Sequence, residues 1–148
     1  MMFEHPDGEP MLALNEEQCW KLLSRTHHAR LGLSFQGEVD IIPVNIAVKD
    51  RAVYFRTAPG SKLAELTVNP RVAVQADGIL SDQAWAVLGH GTAERLESEA
   101  DIAEAEALGI TPWVPTLKDF FVRISLDSVT GRHFQFGTHP ERHEDRVD

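Results

Sequence analysis

"RLGLSFQGEVDIIPVNIAVKDRAVYFRT", residues 30–57, is the stretch whose reading decides the fold. Leu31, Leu33 and Phe35 alternate with small or polar residues, and "QGE" makes a turn. "VDIIPVNIAV" and "AVYFRT" follow, joined by the polar link "KDR". A period of two, repeated three times across short links, predicts three strands in an antiparallel meander.

Upstream, Asn15 followed by Glu16, Glu17 and Gln18 predicts a helix start, and Cys19, Leu22 and Leu23 give that helix an apolar face. Downstream, residues 61–68 read as a short helix with Leu63 and Leu66 toward the core. "RVAVQAD" and "QAWAVLGHGTAERLE" read as strands, and "SEADIAEAEAL" as a helix that stops at Gly109. "TPWVP" is a proline-bounded loop, and "DFFVRISLDSV" and "RHFQF" supply the last two strands. Strands joined mostly by short turns predict one small, mainly β barrel over residues 14–137, with helices at its ends. Residues 1–13 read as a flexible arm, and the charged segment 138–148 as a disordered tail. His139 and His143 stand four apart in that tail, but Pro140 and the polar surroundings favour a solvated segment over a metal pair.

The chain has 148 residues, enough for one domain that buries roughly 70% of its unfolded surface. No apolar run approaches the ~20 residues of a membrane span, and the single cysteine excludes an internal disulfide framework, so the expected location is cytoplasmic. A formal charge of −9 argues against non-specific nucleic-acid binding while leaving room for a local basic site.

Such a site is suggested by "FRTAPGSKLAEL", residues 55–66, where a strand becomes a helix. An anion there would meet unpaired backbone N–H groups near Gly60, Ser61 and Lys62, hydroxyls of Thr57 and Ser61, and the Lys62 charge. The spacing is not that of a nucleotide P-loop, and an ordinary helix start with Pro59 in the first turn fits it as well. On "VDIIPVNIAV", Ile42, Val44, Ile46 and Val48 form a core face, and Ile41, Pro43, Asn45 and Ala47 the opposite one. Pro43 marks an edge or bulge, and its face suits either a flat heteroaromatic ligand or another subunit. In "AWAVLGHGTAERLE", Gly89 and Gly91 suggest a bulge or a close approach, while His90 lies on the other face.

Together, "RLGLSFQGEVDIIPVNIAVKDRAVYFRTAPGSKLAEL", "NPRVAVQAD" and "AWAVLGHGTAERLE" resemble the FMN-binding split-barrel proteins related to pyridoxamine 5′-phosphate oxidase. They look closest to the small actinobacterial-type branch that includes nitroimidazole-resistance proteins. The resemblance implies a six-stranded antiparallel split β-barrel, a homodimer, and flavin mononucleotide (FMN) at the subunit interface. It implies a phosphate site at Arg56, Thr57, Ser61 and Lys62, and a ring lying along Ile42, Pro43, Val44 and Asn45. Trp85 approaches from the partner chain in this picture. No catalytic residue and no metal site are assigned. "GRHFQFG" is a poor match to the arginine-bearing pattern that true pyridoxamine-phosphate oxidases use for substrate, which argues against vitamin B6 oxidation. The function implied is a flavin-dependent oxidoreductase acting on a small molecule. The alternatives are a deazaflavin-coenzyme-dependent reductase, disfavoured by the acidic charge balance, and a non-catalytic flavin- or haem-binding protein with His90, His133 or a tail histidine as axial ligand.

Overall fold

The computed structural model describes residues 2–111 and 120–137. The proline-bounded loop beyond Thr111 and the charged tail therefore lie outside the described residues. The elements are β1 (Met11–Leu14), α1 (Glu16–Ser24), β2 (His28–Phe35), β3 (Glu38–Lys49), β4 (Ala52–Thr57), α2 (Ser61–Val68), β5 (Arg71–Ile79), β6 (Gln83–Arg95), α3 (Glu99–Ala107) and β7 (Phe120–Gln135). All strand pairings are antiparallel, in the order β1-β7-β4-β3-β2-β5-β6, and β6 pairs with β7 again. Strands β2 to β7 thus close into the expected six-stranded ring, and β1 is a seventh strand outside it.

The meander forms as its pattern dictates. Gln36 and Gly37 join β2 to β3, and Asp50 and Arg51 join β3 to β4, each pair with positive φ at both positions. Such two-residue turns match the right-handed twist of the strands they connect. Inside the ring, Leu31, Leu33, Ile46, Val53, Phe55, Val72, Val74 and Val87 pack with Val122 and Ile124. The helix α1 covers one end of this core with Cys19, Trp20, Leu22 and Leu23. Asn15 starts it with a reciprocal cap: its side chain accepts from the Gln18 N–H, and the Gln18 side chain accepts from the Asn15 N–H.

Two expectations are corrected. The last two strands are one, β7, because Thr130 and Gly131, which separate them in the sequence reading, pair with Leu88 and Val87 of β6, and the ladder is interrupted instead by a bulge at Asp127, opposite His90 and Gly91. The segment read as a flexible arm is held: Met11–Leu14 pairs with Gly131–Phe134, and His5 is buried. One edge of β7 thus pairs with β4 over residues 120–125 and with β1 over residues 131–134, so β1 continues the sheet where β4 leaves it. No helix among the described residues is long and apolar enough to cross a membrane.

Candidate functional site

Strand β3 changes partner halfway along. Residues Glu38 to Asn45 pair with β2, and Ile46 to Lys49 pair with β4. Strand β4 pairs with β7 along its whole length, and beyond Phe55 it leaves β3 and keeps only that pairing, Arg56 opposite Phe121 and Thr57 opposite Phe120. A split opens between the two strands, and the β4-side edge of β3 is left without a ladder partner from Glu38 to Asn45 among the described residues. The Ile46 N–H donates to the His27 carbonyl on the β2 side. Backbone groups alternate along a strand, so the Pro43 nitrogen faces the open edge, and proline costs the ladder no bond there. The sequence reading of Pro43 as an edge marker is borne out.

Helix α2 begins beside this split. Its N-cap is Gly60, with no side-chain cap and no acid in the first turn. The first intrahelical bond is from Ala64 N–H to Gly60 C=O, so the N–H groups of Ser61, Lys62 and Leu63 have no partner within the helix. A Cβ at Gly60 would meet nothing within 4 Å, so the space before these donors is open. Lys62 reaches across the split to Asp40 of β3, Nζ to Oδ2 at 2.7 Å, and lies 3.6 Å from Glu65. The hydrogen bond to Asp40 holds the Lys62 pKa above its ordinary value. Thr57 donates to the Ala58 carbonyl at 3.2 Å. The Arg56 guanidinium lies over the Phe121 ring, 4.9 Å from its centroid.

The far end of the split opens on a cavity of about 460 Å³. Asn45 and Ala47 form one wall, Thr26 and His27 a second, and Leu108 and Ile110, after α3, a third. Asn45 is therefore common to the open edge and the cavity. The arrangement offers a cationic, N–H-rich corner, a stretch of free strand edge, and a partly apolar recess in sequence. That order suits an elongated ligand with an anionic end.

Residues 15–133 match the family Pyridoxamine 5′-phosphate oxidase. The chain belongs to this family. An uncharacterised protein of Mycobacterium tuberculosis is 40% identical over 95 residues, which covers 64% of this chain and 86% of that protein. Among solved structures, an FAD-binding protein of Mycobacterium smegmatis has 34% identity and a TM-score of 0.73, covering 84% of this chain and 98% of that one. An FAD-binding protein of Mesorhizobium loti has 25% identity and a TM-score of 0.75, covering 83% and 97%. The pyridoxamine 5′-phosphate oxidase family thus accounts for the barrel and for most of the chain.

The structure brings most of the predicted residues of this family member to one place. Ile42 and Val44 are half-buried against the core, Pro43 is exposed, and Asn45 lines the cavity. Arg56, Thr57, Ser61 and Lys62 follow one another around the corner of β4 and α2. Trp85 is not among them. It sits on β6, with β2 and β5 between it and β3, and its indole covers Gly78, where a Cβ would stand 2.4 Å from Nε1. Gly91 answers to the chain itself: a Cβ there would lie 2.1 Å from the Ser125 carbonyl oxygen. His133 is fully buried with both ring nitrogens in hydrogen bonds, to His5 and to Gln83, which removes it as an axial ligand. The sequence reading missed Asp40, Glu65 and His27. Asp40 and Lys62 are 22 positions apart, and no periodicity links them.

Proposed function

We propose that this chain is a cytoplasmic, homodimeric flavoprotein of the oxidoreductase class that holds FMN in the β3–β4 split. The observation that carries the reading is the uncapped start of α2, with its unused N–H groups and Lys62 set against an open strand edge. The phosphate is taken by Ser61, Lys62 and Thr57 with Arg56 nearby, where helix-terminal N–H groups, hydroxyls and cations combine. The ring lies along Ile42, Pro43, Val44 and Asn45. Bound flavin supplies the electron chemistry, and the chain supplies position and electrostatics. Lys62 already has carboxylate partners, so a phosphate has to replace Asp40 as its closest neighbour.

The homodimer reading rests on the outer sheet face. Val39 and Ile41 are 70% and 71% exposed, and Ile41 stands in register with Gly32 and Ala73. An apolar face of this kind is what a two-fold interface covers. Trp85 reaches the split of another chain in such a pair. A second reading, FAD in place of FMN, is favoured by the M. smegmatis relative, which is named for FAD binding.

The decisive experiment is an absorbance spectrum of freshly purified protein, followed by release and mass determination of the chromophore. Oxidised-flavin bands with about one FMN released per chain support the proposal. Released FAD moves the assignment to the second reading. A colourless protein that takes up neither flavin overturns both. Reduction of the bound flavin by NADH or NADPH tests the oxidoreductase assignment, and its failure with both withdraws it.

A further inference from the structure

At the opposite end of the barrel from α2, two histidines 128 positions apart meet in the interior. His5 Nε2 lies 2.5 Å from His133 Nδ1. The other nitrogen of His5, Nδ1, lies 2.6 Å from the Glu9 carbonyl oxygen, and His133 Nε2 lies 2.8 Å from Gln83 Oε1. His133 is fully buried, and His5 is 9% exposed. The Phe3 ring packs edge-on against His133, and Trp85 and Leu12 flank it in register on β6 and β1.

These contacts can be counted in protons. The Glu9 carbonyl can only accept, so His5 Nδ1 must carry a hydrogen. Gln83 Oε1 also accepts, because the Met2 N–H donates to it at 3.0 Å while the Gln83 amide nitrogen faces Asp82 Oδ1 at 3.3 Å. His133 Nε2 must therefore carry a hydrogen as well. Two neutral imidazoles have one N–H each, and both are now spent. The short contact between His5 Nε2 and His133 Nδ1 would then set one lone pair against another. A third proton completes the chain of hydrogen bonds, and the pair then carries one positive charge.

We propose that the buried His5–His133 pair is a one-proton site that fastens the amino-terminal segment to the barrel, so that docking of this segment is greatest in a window of pH and weakens on both sides. On the alkaline side the shared proton leaves and bare nitrogens face each other. On the acid side a second proton would put two imidazolium rings in contact. Burial and the neighbouring positive charges of His5 and the amino terminus hold the His133 pKa below its ordinary value, against the opposing Asp82 carboxylate. The acid limit therefore falls below the usual histidine range. Between the lowered and the ordinary pKa the unfolded chain binds more protons than the folded one, so docking there strengthens as pH rises. The docked segment includes β1, and the bond from Gln135 N–H to Pro10 C=O reports on it.

The test is hydrogen exchange on the full chain from about pH 4 to about pH 9, expressed as protection of the Leu12, Leu14 and Gln135 amides, which face the β1–β7 ladder, after correction for intrinsic exchange. Protection is expected to pass through a maximum and to fall on either side, by up to about tenfold per pH unit, as one linked proton requires. In His5→Gln a neutral amide donates to His133 Nδ1 without an added proton, and the alkaline limb is expected to vanish. Protection that is flat across this range, or an alkaline limb that survives in His5→Gln, overturns the proposal. Nitrogen-15 spectra of the histidines give a second reading on the unaltered chain, should the variant fold poorly. Three protons over four ring nitrogens in the docked state support the one-proton site, and two neutral rings there refute it.

Discussion

Helices α1 and α2 are of similar length and both lead into the same core, yet their first turns are opposites. The start of α1 is closed on itself: Asn15 and Gln18 satisfy each other's N–H groups, and Glu16 and Glu17 answer the positive end of the helix. The start of α2 has neither a side-chain cap nor an acid, and its first turn carries the Lys62 cation. One terminus is satisfied within its own sequence, and the other leaves its first N–H groups to solvent or to an anion supplied from elsewhere. At present Asp40 and Glu65 supply part of that charge to Lys62, but not to the backbone donors. On the function proposed above, the contrast separates a terminus that serves stability from one that serves binding.

Substitutions can break this contrast. The largest effect is expected for Lys62→Ala, which should weaken flavin binding on the order of tenfold to a hundredfold, as loss of a charge-assisted bond does, while leaving the melting temperature nearly unchanged. Equal affinity for wild type and variant, by titration of the apo-protein, would remove α2 from the site. Asn15→Ala should do the converse, costing about 1 kcal/mol in a denaturant titration with no change in flavin affinity. Ser61→Asp gives α2 the acid that α1 already has. It should stabilise the flavin-free protein by about 0.3–1 kcal/mol and also lower flavin affinity. Movement of both quantities in the same direction would contradict the division of roles. The smallest effect is expected for Asp40→Asn, which relieves Lys62 of its competing carboxylate and should tighten flavin binding by roughly twofold to fivefold, the scale of an exposed ion pair. Weaker binding in that variant would make Asp40 a ligand-holding residue.

Local pattern carried most of the fold. The alternation of Leu31, Leu33 and Phe35, and of Ile42 to Val48, reports burial directly, and "QGE" and "KDR" mark turns by residue type. What stayed hidden depends on partners far along the chain. Met11–Leu14 is only four residues long and follows a run of proline, glycine and acids, so it does not announce a strand, and it becomes one because β7 offers it an edge. Thr130 and Gly131 separate the two strands expected there, but pairing with Leu88 and Val87 of β6 holds the chain extended through them. In the candidate site, the hydroxyls, glycine and lysine of residues 57–62 were legible because they are adjacent. The pairing of Lys62 with Asp40, the recess at His27 and the contact of His5 with His133 come from topology, which residue spacing does not reveal.

The place of β7 in the chain has a consequence in time. Among the described residues it is the last strand to be synthesised, and it joins β4 on one edge to β6 on the other. A nascent chain that has emerged only as far as α3 has the strands of β4-β3-β2-β5-β6 but not the one that covers the outer edges of β4 and β6. It also has nothing against which β1 can pair. Closure therefore waits for the carboxy-terminal segment, and the ribosome-bound chain passes through a stage in which exposed strand edges invite pairing with a neighbour.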